Sequence, residues 1–125
     1  MKHHILVVDD CEDIRFVLKL KLSKMGFDVV EATDGEDALE ILEEDEDIDI
    51  MLMDIMMPNL SGLDVLEEIR NKQKSKKIMV ILLTANKEES VYEKAVQLGA
   101  DGFITKPIKD QILQDQLKKI LEKAA

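Results

Sequence analysis

Apolar residues along this chain follow two rhythms that alternate. Unbroken runs such as Ile5-Leu6-Val7-Val8, Ile50-Met51-Leu52-Met53 and Ile78 to Leu83 are separated by stretches in which apolar positions recur every three or four residues. A continuous run with no polar alternate face predicts a strand covered on both sides, and the wider spacing predicts a helix with one inward stripe. Ile5–Val8 is a first strand ending in Asp9-Asp10. Ile14, Val17, Leu18, Leu22 and Met25 then mark one face of a helix that Gly26 terminates from the C′ position. Asp28 to Ala32 reads as a second strand. Asp34 caps a second helix with Ala38, Leu39 and Leu42 inward, and an acidic run from Glu43 to Asp47 closes it.

The third strand runs into Asp54, and Pro58 stops the apolar stretch four residues later. Ser61 followed three residues on by Asp64 approximates a capping box for a helix with the stripe Leu63, Leu66 and Ile69. Lys72 to Lys77 is a basic, polar connection to the fourth strand, which ends in Thr84-Ala85. Asn86-Lys87-Glu88-Glu89 resembles a second capping box, opening a helix with Val91, Ala95 and Leu98 before Gly99. Gly102–Thr105 is a short fifth strand followed by Lys106-Pro107, and the last helix carries Ile112, Leu113, Leu117, Ile120 and Leu121. Strand and helix alternate five times with short connections. That order predicts an α/β fold, a single domain over residues 1–125 with a doubly wound parallel sheet of five strands and five helices on its two faces. Right-handed crossovers bring the C-terminal ends of all strands to one edge, the edge at which such sheets hold ligands.

The residues just beyond the strand ends form a chemically coherent set at that edge. The first strand delivers Asp9 and Asp10, the third Asp54, the fourth Thr84 and the fifth Lys106; only the second ends without a comparable group. Three carboxylates in one pocket repel one another and raise each other's pKa, so a stable arrangement calls for a cation. Hard oxygen donors select Mg²⁺, with phosphate oxygens commonly completing the shell. The Lys106 ammonium and the Thr84 hydroxyl suit those same phosphate oxygens, and the ensemble forms an electrostatic clamp for a phosphoryl group in transfer. The remaining carboxylate oxygen is then a candidate nucleophile toward phosphorus.

Composition narrows the partners. The 125 residues carry 46% hydrophobic and 35% charged side chains and a formal net charge of −10. That charge disfavours direct nucleic-acid binding, which wants a basic face, and docking on anionic membranes. No apolar run approaches the ~20 residues of a membrane helix. Neither a signal nor a transit peptide is expected before the first strand, and a lone cysteine, Cys11, excludes an internal disulfide and fits a reducing, cytoplasmic setting. Cys11 itself follows two acids, which keep its thiol protonated. Asp45, Asp47 and Asp49 match the start of a calcium loop, but Ile50 and Met56 stand where glycine and glutamate are required. Met51, Met53, Met56 and Met57 are core filler rather than a soft-metal site, and His3 and His4 read as a strand entry.

Five segments together, Val7-Val8-Asp9-Asp10, Met53-Asp54-Ile55-Met56-Met57-Pro58 with Gly62, Leu83-Thr84-Ala85, Gly99-Ala100-Asp101 and Phe103-Ile104-Thr105-Lys106-Pro107, make the chain similar over essentially its whole length to the receiver domain of two-component response regulators. The resemblance implies a flavodoxin-like strand order of 2-1-3-4-5 and a signalling switch rather than an enzyme acting on an outside substrate. It implies that Asp54 accepts a phosphoryl group from a sensor histidine kinase or phosphotransfer protein. Mg²⁺ would be held by Asp10 directly, Asp9 through water, Asp54, and the carbonyl of Met56. Thr84 and Lys106 would contact the phosphoryl group, with a cis Lys106–Pro107 bond. Thr84 and Phe103 would switch the surface formed by the fourth helix, fifth strand and fifth helix, for output to a downstream protein target or a fused output domain. The stretch Asp110 to Asp115 lacks the charge pattern of receivers that dimerise through that face, and Met56 and Asn86 flank the site where they would tune access of water.

Two alternatives lose on particular residues. A Mg²⁺-dependent phosphatase with Asp54 as nucleophile commonly needs a second acid two residues on, and that position is Met56. A flavin carrier on the same fold needs a hydroxyl- or glycine-rich loop after the first strand, where Asp9-Asp10-Cys11-Glu12-Asp13 would repel its phosphate.

Overall fold

The computed structural model describes residues 3–72, 77–85 and 88–124. Five strands, β1 (His4–Val8), β2 (Asp28–Ala32), β3 (Ile48–Asp54), β4 (Met79–Thr84) and β5 (Gly102–Thr105), alternate with five helices, α1 (Glu12–Lys24), α2 (Gly35–Glu44), α3 (Gly62–Asn71), α4 (Glu89–Gln97) and α5 (Asp110–Ala124). The strands form one parallel sheet in the order β2-β1-β3-β4-β5, the expected order.

The unbroken apolar runs have a simple cause. Alternate residues of each strand point to opposite faces, and both faces are covered. Leu6, Val8, Met51, Met53, Val80 and Leu82 pack with Ala38, Val65, Leu66, Ile69 and Ala95 beneath α2, α3 and α4. Ile5, Val7, Ile50, Leu52, Ile81 and Leu83 pack with Leu18, Leu22, Leu113, Leu117 and Ile120 beneath α1 and α5. Nearly all of β1, β3 and β4 is thus solvent-free, and only the edge strands β2 and β5 are mixed.

Helix ends follow local chemistry. The Asp34 side chain accepts from the Asp37 amide at the start of α2. Ser61 and Asp64 cap each other's backbone amides at the start of α3, a complete capping box. Gly26 follows the α1 cap with φ +95°, the left-handed conformation that an L side chain resists.

Sequence expectations are corrected at three helix positions. Val17 is 45% exposed and Ile112 43% exposed. The inward stripe of α1 runs through Ile14, Leu18, Leu22 and Met25, and Val17 sits one residue, about 100° of rotation, away from it. Ile112 stands off the Leu113-Leu117-Ile120 seam of α5 in the same way. The α4 cap position is Glu88, without a side-chain cap bond, so the helix begins later than an Asn86 cap would place it. Asn86 itself lies outside the described residues, as does the middle of the Lys72–Lys77 connection. The two histidines at the strand entry have carboxylate neighbours: His3 Nδ1 lies 2.7 Å from Asp49, and His4 Nε2 lies 3.8 Å from Asp28.

At the end of the sheet remote from the strand C-termini, Asp101 is an internal tie. Its side chain is 2% exposed and accepts from the Val80 amide and from Arg70 at 3.0 Å, with Lys77 at 3.3 Å and Lys123 at 3.4 Å. Arg70 also donates to the carbonyls of Gly99 and Ile78, binding α3 to both flanks of β4 and β5.

Candidate functional site

Each strand ends within one residue of the end of its apolar run, and the polar residues at or just beyond it are therefore delivered at the same sheet edge. Asp9 follows β1, Asp54 is the last residue of β3, Thr84 the last of β4, and Lys106 follows β5. Parallel pairing sets their heights, with Val8 opposite Met53, Asp54 opposite Leu83 and Thr84 opposite Thr105. Lys106 donates its backbone amide to the Thr84 carbonyl at 2.8 Å, which carries the β4–β5 ladder one residue further and turns the lysine inward. The Lys106–Pro107 bond is cis.

The result is a compact polar cluster on a dry base. Asp9 is fully buried, Thr84 2% exposed and Asp54 6% exposed, whereas Asp10 is open to solvent. Lys106 Nζ lies 3.0 Å from Asp9 Oδ2 and 3.1 Å from Asp54 Oδ2, bridging the two. The Met56 amide donates to Asp54 Oδ1 at 3.2 Å, and the Cys11 amide to Asp9 Oδ1 at 2.9 Å. Asp9, Asp10 and Asp54 each offer a carboxylate oxygen within 4.8 Å of the others. Three hard, anionic oxygens around one small space fit a divalent cation of the Mg²⁺ type.

The electrostatics refine the expectation of mutual carboxylate repulsion. The Asp54 carboxyl is pushed up chiefly by burial; Lys106 and the Met56 amide pull the other way, and the charge of Asp9 adds a smaller upward push. Desolvation, more than carboxylate repulsion, therefore sets its state. For Lys106, burial favours the neutral amine, but its bonds and charge interactions with Asp9 and Asp54 together outweigh that and hold the ammonium above its ordinary value.

The loop that carries Met56 is closed from below by Gly62. Its amide donates to the Ile55 carbonyl at 2.8 Å, and a Cβ there would lie 2.5 Å from the Asp54 carbonyl oxygen and 2.9 Å from Ile55 Cα. The Met56 side chain is 71% exposed, which corrects its reading as core filler; Met51, Met53 and Met57 are buried as expected, because they lie on β3 or under the loop while Met56 points out from it.

Phe103 is half-buried in β5 against the core layer beneath α4. Its ring is tilted 59° to that of Tyr92, with centroids 5.1 Å apart. Tyr92, on α4 and 52% exposed, escapes sequence reasoning, because only the fold brings α4 beside β5. Arg15 escapes it too: its guanidinium donates to the Asp9 carbonyl at 2.6 Å. Cys11 occupies the exposed cap position of α1 without a side-chain cap bond.

Comparison with known proteins agrees with this fold. The family model described as the response regulator receiver domain matches residues 5–118. The chain is 36% identical to the alkaline phosphatase synthesis transcriptional regulatory protein PhoP of Bacillus subtilis, covering 99% of this chain and 50% of that protein. It is 38% identical to the transcriptional regulatory protein CpxR of Escherichia coli, covering 96% and 50%. The chain thus spans about half the length of these curated relatives. Among solved structures, a response regulator receiver domain from Clostridium thermocellum superimposes with a TM-score of 0.89 at 30% identity, covering 98% of this chain and 96% of that one. Vibrio cholerae CheY4 superimposes with a TM-score of 0.89 at 25% identity, covering 96% and 99%. With its fold and nearly its full length matched in this way, the chain belongs to the response regulator receiver family, the signalling modules of two-component systems.

Proposed function

We propose that the chain accepts a phosphoryl group on Asp54 from a phosphohistidine of a sensor histidine kinase or phosphotransfer protein, in a Mg²⁺-dependent reaction. One observation carries the reading: Asp54 Oδ2 lies 3.1 Å from Lys106 Nζ, inside a group of three carboxylates and at the C-terminal edge of a parallel sheet. A carboxylate oxygen of Asp54 forms the new O–P bond. The N–P bond of the donor breaks, and the imidazole nitrogen takes the electron pair and a proton. Asp9, Asp10, Asp54 and the backbone carbonyl of Met56 are the groups to hold the cation, which neutralises charge on the phosphoryl oxygens when bound. Lys106, already desolvated and paired, is positioned to exchange carboxylate for phosphoryl oxygen, and Thr84 supplies a hydroxyl donor. Hydrolysis by water reverses the modification.

Output runs through a repacking of Thr84 and Phe103 that alters the face of α4, β5 and α5. The exposed Tyr92, Val96 and Ile112 give that face apolar surface for a downstream protein or a fused output domain. At the other side of the site, Phe16, Val17 and Leu20 stay exposed on α1, a contiguous apolar patch of the kind that marks a protein contact. The setting is cytoplasmic. Among the described residues no helix is long and apolar enough to cross a membrane.

The test is intact mass after incubation with Mg²⁺ and acetyl phosphate, for the wild type and Asp54→Asn. A Mg²⁺-dependent gain of one phosphoryl group, lost in the variant, is expected. Full uptake by Asp54→Asn would overturn the assignment of the acceptor. Failure of the wild type to take up phosphate and also to form a beryllofluoride complex would overturn the chemistry.

A further inference from the structure

Asp9 is fixed at every polar atom. Its amide donates to the Ala32 carbonyl at 3.3 Å, Oδ1 accepts from the Cys11 amide and Oδ2 from Lys106. Its own carbonyl accepts from Arg15 Nη1 at 2.6 Å. Arg15 stands in the first turns of α1 with its side chain only 12% exposed, unusual for an arginine near the start of a helix, where the macrodipole favours acids. Its Nε lies 3.4 Å from Glu31 of β2, an ion pair without hydrogen-bond geometry, and Lys19 reaches the other oxygen of Glu31 at 3.8 Å. One side chain thus ties the end of β1 to α1 and to the neighbouring strand.

We propose that Arg15 is a positioning residue for cation binding: by gripping the Asp9 carbonyl it sets the direction in which Asp10 leaves β1. The link is covalent. The carbonyl of Asp9 and the amide of Asp10 share one rigid plane, so an arginine that fixes the first fixes the origin of the second. Asp10, open to solvent, gains its orientation through that plane, and its carboxylate stays in reach of Asp9 and Asp54. The inference rests on the reading that these three carboxylates hold a divalent cation.

The sign of the effect separates positioning from mere charge. A guanidinium close to a cation site repels the cation, so removing it for charge reasons alone tightens binding. Removing a positioning group loosens binding. Mn²⁺ affinity, read by electron paramagnetic resonance on folded protein, decides between them without any phosphoryl chemistry. Arg15→Met is expected to weaken Mn²⁺ binding about tenfold or more, the order of a lost hydrogen bond from a charged donor. Arg15→Lys keeps the charge and one donor but cannot span both the Asp9 carbonyl and Glu31, so it falls between. Unchanged or tighter binding by Arg15→Met overturns the proposal. Should Arg15→Met fail to fold by circular dichroism, Arg15→Lys carries the test, and wild-type affinity in that variant overturns it. Asp10→Asn is the control for the site itself: if it binds Mn²⁺ as the wild type does, the cation site is elsewhere, which is a separate failure.

Discussion

Asp54 occupies a position that costs the folded state something. Burial raises its pKa above the usual carboxylate value near 3.8, with Lys106 only partly offsetting. A carboxyl whose folded pKa lies above its unfolded one contributes stability that is complete below the unfolded value and lost as pH climbs through the folded value. At neutral pH the ionised carboxylate is therefore a burden on the fold, and Asp54→Asn, similar in shape and uncharged, should raise the melting temperature. The gain should shrink as pH falls through the raised folded value and vanish below about pH 4, where the wild-type carboxyl is protonated in both states. Thermal unfolding of both proteins at pH 7 and near pH 4 checks this, and an Asn variant melting below wild type at pH 7 contradicts it. Asp9, Asp54 and Thr84 are readable in the sequence because each stands directly at the end of an apolar run, and Lys106 because it follows the short fifth strand directly. Arg15 is not, because a helical arginine among acids reads as a solvated charge until β2 brings Glu31 alongside β1.

Among the helices and strands, α3 is built to press on the site. Its first residue, Gly62, lies against the backbone of Asp54 and Ile55 with no room for a methyl group. Its cap, Ser61, makes a local bond that does not touch β3. Two neighbouring substitutions should therefore differ in kind. Ser61→Ala should cost about 1 kcal/mol, as lost caps do, and leave phosphoryl uptake intact. Gly62→Ala should cost roughly 1–3 kcal/mol through overpacking, and should also slow uptake on protein that remains folded, because the main chain it displaces carries Asp54, the proposed acceptor. Urea titration and uptake rates on both variants separate them; equal uptake would contradict the mechanical link. Caps and stripes are legible as local patterns, as Asp34 and Ser61 illustrate. Val17 and Ile112 show the limit: one residue of phase on a helix decides burial, and only packing against a particular sheet face sets that phase.

Across the protein as a whole, the order β2-β1-β3-β4-β5 puts the crossover reversal between β1 and β3, the two strands that deliver Asp9, Asp10 and Asp54. The alternation of runs makes the α/β class readable; the order itself is implied by family resemblance, since spacing alone does not rank strands laterally. The charges divide unevenly between the two ends of the sheet. Asp101 is ringed by Arg70, Lys77 and Lys123, whereas at the other end Lys106 pairs with Asp9 and Asp54, and Asp10 stands close to both. One end is neutralised from within and the other is left short of positive charge, on a protein of net charge −10.

That open rim makes the site a filter for who arrives. Its field draws in small cations and turns back small anions, so a free phosphodonor such as acetyl phosphate approaches uphill, while a protein donor can bring its own compensating surface. With Mg²⁺ saturating, the initial rate of uptake from acetyl phosphate should rise as added KCl takes the ionic strength from about 0.1 M to about 1 M, over which the screening length falls from ~10 Å to ~3 Å. A rate that falls instead would mean the bound cation already reverses the local field. On the proposed phosphoryl chemistry, the deficit of positive charge would act as a gatekeeper, favouring instructions delivered by contact over those that merely diffuse by.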